Sequence, residues 1–122
     1  MTPAKPIVEV TMDCRDAPAQ AQFWAATLGY DVLDTQPGQA YLRDPDDRGP
    51  FLCLLEVPES KTIKNRMHFD LVVSGEGTDD EKWARVRTEV QRIVELGATI
   101  RGEHPPTFVA MADPEGNEFD VT

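Results

Sequence analysis

The chain has 122 residues, of which 40% are hydrophobic, which is enough for one domain with a core of its own. Its 22 Asp and Glu outnumber its 12 Lys and Arg, and a net charge of −10 argues against nucleic acid or an anionic membrane surface as partner, since both select for positive charge. Two cysteines without CxxC spacing, Cys14 and Cys53, make no disulfide framework and point to a reducing compartment. The opening MTPAKP has no apolar signal core, and no apolar run approaches the roughly 18 residues of a membrane span, so a soluble cytoplasmic protein is expected.

From Ile7 to Asp13, Val8, Val10 and Met12 alternate with Glu9, Thr11 and Asp13, the period of a strand with one apolar face. Asp16 stands where a helix N-cap would, Pro18 falls in the first turn, and the helix carries Ala21, Phe23, Trp24 and Leu28 before Gly29 ends it. Strands follow at Tyr30 to Asp34 and Ala40 to Arg43, separated by a turn at Gln36-Pro37-Gly38. Asp44 to Gly49 reads as a loop and Phe51 to Val57 as a nearly continuous apolar strand. Pro58 to Asn65 is polar and reads as an exposed connection.

The pattern then restarts. Met67 to Val73 alternates, with Met67, Phe69 and Leu71 on one face and His68 and Asp70 on the other. Trp83, Val86, Val90, Ile93 and Val94 recur at helical spacing between Asp80 and Leu96. Strands are expected at Ala98 to Arg101, Thr107 to Ala112 and Glu118 to Thr122, with a break at His104-Pro105-Pro106 and a turn at Asp113 to Asn117. Both helices end in Leu-Gly (Leu28-Gly29, Leu96-Gly97), and both halves carry Asp-Pro before the final strand (Asp44-Pro45, Asp113-Pro114), at nearly equal offsets. This is the mark of an internal repeat, each half reading β-α-β-β-β.

On the residues alone, Glu9, Thr11 and Asp13, then His68 and Asp70, then Glu118, Asp120 and Thr122 each share a strand face. Such polar faces fit a ligand-binding concavity, and they equally fit a sheet with one side in water. Trp24 and Trp83 are expected in the core, Cys14 and Cys53 as inert thiols, and His104 in an exposed loop. Arg66 is expected to pair with a carboxylate such as Asp70 or Asp13.

Asp16 to Tyr30 with Phe23-Trp24 and Leu28-Gly29-Tyr30, the run Lys64-Asn65-Arg66-Met67-His68-Phe69-Asp70, Leu96-Gly97-Ala98, and Asp113-Pro114-Glu115-Gly116-Asn117-Glu118-Phe119 together resemble the glyoxalase/bleomycin resistance/dioxygenase (vicinal oxygen chelate) superfamily over nearly the whole chain. The resemblance implies an α+β fold in which two tandem βαβββ modules form a curved mixed sheet around a cavity, with the helices on the outer face. It implies one domain over 1–122, with module one at about 6–58 and module two at about 66–122, and a homodimer. It further implies a divalent metal (Zn, Mn, Fe, Ni or Co) bound by side chains from the first and last strand of each module. Carried over by position, the first ligand site falls on Glu9, seven residues before Asp16, the third on His68, and the fourth on Asp120, three residues after Asn117. The second falls near Leu55, which cannot bind a metal, with Cys53 and Glu56 as neighbours; Glu56 would serve only after a slip in register.

These residues support a metal-dependent lyase or isomerase acting on a vicinal-oxygen substrate. Glu9 or Asp120 would be its base, and the metal a Lewis acid at the substrate oxygens. The alternative is a binder of small molecules without metal or catalysis, sequestering an apolar or cationic compound as drug-resistance relatives do. A third reading is an interaction module with no pocket. Fold alone does not separate them.

Overall fold

The computed structural model describes residues 7–122. The segment MTPAKP, with the first residue assigned to module one, lies outside the described residues. The chain divides into two compact units, one ending at Ser60 and the other beginning at Lys61. Each unit is a βαβββ module.

The first unit runs β1 (Glu9–Cys14), α1 (Ala17–Leu28), β2 (Asp31–Gln36), β3 (Gln39–Arg43) and β4 (Phe51–Glu56). Its four-stranded sheet has the order β1-β4-β3-β2, with β1 parallel to β4 and the other pairs antiparallel. The Asp16 carboxylate accepts the Ala19 N–H at 3.0 Å, and the Glu56 carboxylate accepts the Ala17 N–H at 2.9 Å, so two acids satisfy donors at the start of α1. Gly29 ends the helix at φ 71°, a left-handed conformation that favours glycine. Trp24 is fully buried and meets Phe23 edge to face at 5.1 Å, over Ala40, Leu42, Leu52 and Leu54 of the sheet. Glu9, Thr11 and Asp13 lie exposed on the other face of β1.

The second unit repeats this with β5 (Phe69–Leu71), α2 (Asp79–Glu95), β6 (Thr99–His104), β7 (Phe108–Ala112) and β8 (Glu118–Val121), in the order β5-β8-β7-β6 with β5 parallel to β8. Val86, Val90 and Ile93 of α2 are buried, as are Val109, Met111, Phe119 and Val121 of the sheet. The strands thus form two four-stranded mixed sheets, one per module, each with its helix packed on the apolar face.

Several expectations are corrected. The strand expected over Met67 to Val73 narrows to three residues, because only the short β8 pairs with it; Met67 is 87% exposed, and backbone bonding continues to Val73 through its N–H to Thr122. β6 extends to His104, whose ring stacks on Phe108 at 4.4 Å, so His104 closes a strand and does not sit in a plain loop. Trp83 is only half-buried. The Asp-Pro repeat has a physical basis: Asp44 accepts the N–H groups of Asp46, Arg48 and Gly49, and Asp113 accepts those of Glu115 and Asn117. The edge strands β2 and β6 also match, each shifting register by one residue, at Leu33 and at Arg101.

α2 starts on a capping box that the sequence reading did not single out. The Thr78 hydroxyl accepts the Glu81 N–H at 3.2 Å, while the Glu81 carboxylate accepts the Thr78 N–H at 3.1 Å. Thr78→Ala is expected to cost about 1 kcal/mol in urea unfolding. The Thr78 backbone N–H and hydroxyl hold the Glu81 carboxyl below its ordinary value. Its folded pKa is therefore lower than its unfolded one. Its stabilisation is present above about pH 4.3 and is lost as pH falls through the folded value. Urea midpoints measured from pH 7 down to pH 3 should fall less steeply for Glu81→Gln than for the wild type.

Candidate metal centre

The parallel pairing of β5 with β8 sets Phe69 beside Phe119, Asp70 beside Asp120 and Leu71 beside Val121. Paired residues share a face, so Phe119 and Val121 turn to the core while Asp70 and Asp120 turn away from it. His68 precedes β5 by one residue, and its Nδ1 lies 3.1 Å from Asp70 Oδ1 and 3.9 Å from Asp120 Oδ2. His68 and Asp70 are exposed, and the Asp120 side chain is 23% exposed.

One ligand atom from each of His68, Asp70 and Asp120 can be chosen so that all lie within 4.8 Å of one another. Two ligands on opposite sides of a divalent ion are about 4.2 Å apart, given bonds of about 2.1 Å, so the group is close to the span of a single ion. One imidazole and two carboxylates suit Mn, Fe(II), Zn, Ni or Co. Of the three residues proposed as ligands, the structure therefore groups His68 and Asp120 and adds Asp70. Glu9 belongs to the first unit, on the exposed face of β1 beside Phe51. The expected Arg66 pair does not form among the described residues; Asp70 faces His68 instead.

The register also corrects the position assigned near Leu55. Ala110 stands three residues before Asp113 and pairs with Asp120; Tyr41 stands three residues before Asp44 and pairs with Cys53. Cys53 is thus the counterpart of Asp120, as Thr11, its neighbour on β1, is of Asp70. Two residues earlier, Glu9 and His68 correspond. Glu56 is committed to the start of α1 and lies on the other side of the strand from Leu55.

His68 and Asp120 line an open cleft of about 660 Å³ on the polar face of the second sheet. Phe108, Ala110 and Arg101 form its β6–β7 side, and Lys61, Lys64 and Glu118 its other side. The Lys61 ammonium lies 2.5 Å from the Glu118 carboxylate, which also accepts the Asn65 N–H at 2.7 Å. Burial raises the Glu118 carboxyl, but Lys61 and the Asn65 N–H outweigh it and hold its pKa below the usual range. The segment read as an exposed connection is mostly exposed, and Lys61 and Asn65 fasten its end to β8.

The glyoxalase-like domain family matches residues 9–122, and the chain belongs to that family. No curated protein matches the chain in sequence. Among solved structures, it resembles the genomically encoded fosfomycin resistance protein FosX of Listeria monocytogenes, solved in a variant with Mn(II) and 1S,2S-dihydroxypropylphosphonic acid, at 15% identity, 96% and 88% coverage of the two chains and a TM-score of 0.72. It also resembles a glyoxalase/bleomycin resistance protein/dioxygenase family enzyme of Burkholderia phytofirmans (18% identity, coverage 93% and 94%, TM-score 0.68). Lactoylglutathione lyase of Agrobacterium tumefaciens is similar at 19% identity, 98% and 93% coverage and a TM-score of 0.63. At these identities the likeness is one of fold. Among the described residues, no helix is long and apolar enough to cross a membrane.

Asp113 anchors the turn that leads into β8, and its second oxygen accepts the Asn117 side-chain amide at 2.9 Å, with both residues buried. Asp113→Ala leaves several buried donors without an acceptor, at an expected cost of about 2–4 kcal/mol in chemical unfolding.

Proposed function

We propose that the protein is a divalent-metal-dependent lyase or isomerase acting on a small molecule with vicinal oxygens, working at the cleft of the second unit. The observation that carries the reading is the convergence of His68, Asp70 and Asp120 ligand atoms within 4.8 Å, with His68 and Asp120 lining that cleft. The Mn(II) in the Listeria structure supports it by fold analogy. His68 and Asp120 hold the ion, with Asp70 either joining them or orienting the His68 ring. A bound divalent ion supplies Lewis acidity at substrate oxygens.

The chain's own groups do the rest. Asp120, half-buried in the cleft wall, is the carboxylate that takes or returns a substrate proton, since Glu118, the other acid of the lining, is held by Lys61. Glu9 remains a proposed ligand or base on the strength of the sequence, as the register counterpart of His68. Phe108 and Ala110 give the substrate an apolar surface, which also limits water at that wall.

Metal binding is tested by titrating Mn(II) or Zn(II) into untagged, EDTA-dialysed protein. Saturation to 100 times Kd is expected to stabilise the fold by about 2.7 kcal/mol. His68→Gln and Asp120→Asn are each expected to weaken binding at least tenfold; Glu9→Gln, followed in the same titration and in turnover, tests its role. No binding by the wild type would overturn the reading in favour of the metal-free binder. The same reading makes the protein a cytoplasmic homodimer, and a single-chain mass in sedimentation equilibrium would overturn the dimer.

A further inference from the structure

We propose that the cleft of the second unit takes a small organic anion carrying an apolar group, with Arg101 and Lys64 receiving the charge and Phe108 the apolar part. This names the substrate class of the site above, and rests on that reading in treating the cleft as the site. The binding itself does not depend on the metal.

The first observation is the distribution of charge. Three of the chain's 12 basic residues line this cleft, against only two of its 22 acids. Of the three, Lys61 is spent on Glu118. Lys64 and Arg101 are exposed and have no ion-pair partner among the described residues. In a protein of net charge −10, an anion is repelled at long range, so its capture depends on local cations of this kind.

The second observation is how Arg101 reaches the cleft. Gly102 pairs with Ala110, which pairs with Asp120, so these three share the cleft face. Ile100 pairs with Met111, which is buried on the helix side, so alternation from Ile100 turns Arg101 to the cleft face. Arg101 lines the cleft, and the register shift between Ile100 and Gly102 makes it the extra residue of a bulge that sets Gly102 on the same face beside it. A guanidinium delivered in this way can bind a carboxylate or a phospho group with two parallel hydrogen bonds. Lys64 adjoins Asn65, which the Glu118 clamp fixes from the other side of the cleft.

The third observation is the apolar wall. The His104 ring stacks on Phe108 at 4.4 Å with an interplanar angle of 19°, which holds the Phe108 ring at the cleft. Ala110 and Gly102 beside it leave room for a bound group.

The test uses the EDTA-dialysed full chain and four probes of one size: benzoate, phenyl phosphate, benzamide and benzylammonium. At least one anion is expected to bind roughly ten times more tightly than benzamide, with benzylammonium the weakest, and the preference to shrink as salt is raised. Whichever of benzoate and phenyl phosphate binds more tightly tells a carboxylate from a phospho ligand. The Arg101→Gln/Lys64→Gln double variant, both positions being exposed, is expected to keep its melting temperature and its metal affinity while anion affinity falls to that for benzamide. Equal binding of benzamide and both anions, tighter binding of benzylammonium, or undiminished anion binding by the double variant would overturn the proposal. If the anion preference holds but no metal binds, the metal-enzyme reading falls and this one stands.

Discussion

Each module turns on one pairing, the first strand lying parallel to the last. Parallel neighbours cannot be joined by a tight turn, so a crossover must fill the interval, and in each module it is a helix and two further strands. That pairing completes the four-stranded sheet and decides which distant residues share a face. It brings Asp70 beside Asp120, and in the first unit it sets Thr11 beside Cys53. Slipping β5 by one residue would send Asp70 toward α2 and Phe69 into the cleft. The buried pair Phe119 and Val121 therefore guards the ligand group as well as the core.

The acidic excess looks different once its hydrogen bonds are traced. Asp16 and Glu56 hold the start of α1, Glu81 that of α2, Asp44 and Asp113 shape the turns before the last strands, and Glu118 fastens the segment ahead of β5. These carboxylates are acceptors for backbone donors that would otherwise need water. The cleft, by contrast, gathers cations. Local structure uses up many of the negative charges, and the binding surface keeps two of the positive ones unpaired.

Much of this was legible in the sequence, and the limits are physical. Asp16 and Gly29 marked α1 because capping and left-handed backbone each select a narrow set of residues. The Leu-Gly and Asp-Pro repeats marked the modules because helix ends and turns obey the same local rules in both. The Thr78 to Glu81 capping box carried an available signal, a Thr followed three residues later by Glu, that went unread. Strand length and register were less accessible. β5 is short because of its partner's length, which its own alternation does not encode. Cys53, not Leu55, answers to Asp120 through the pairing of the third strand with the fourth in each module, and strand pairing is not written in spacing along the chain. His68 and Asp120 were marked by position and alternation set Asp70 on the face of His68, while the pairing of β5 with β8 brought Asp70 to Asp120. The bulge at Arg101 was hidden most completely, since it reverses the alternation for Gly102, Glu103 and His104, which follow it.

That bulge bears on more than recognition. β6 is an edge strand, and its outer backbone groups would otherwise offer a straight template for another chain to extend the sheet. An extra residue kinks the strand and breaks the even spacing of those groups, and Arg101, Glu103 and His104 add polar bulk along it. β2 carries the matching irregularity at Leu33, between Asp31 and Asp34. The distortion that sets Gly102 beside Arg101 at the cleft thus also blunts the rim against fibrous growth, and straightening it would expose the protein to aggregation.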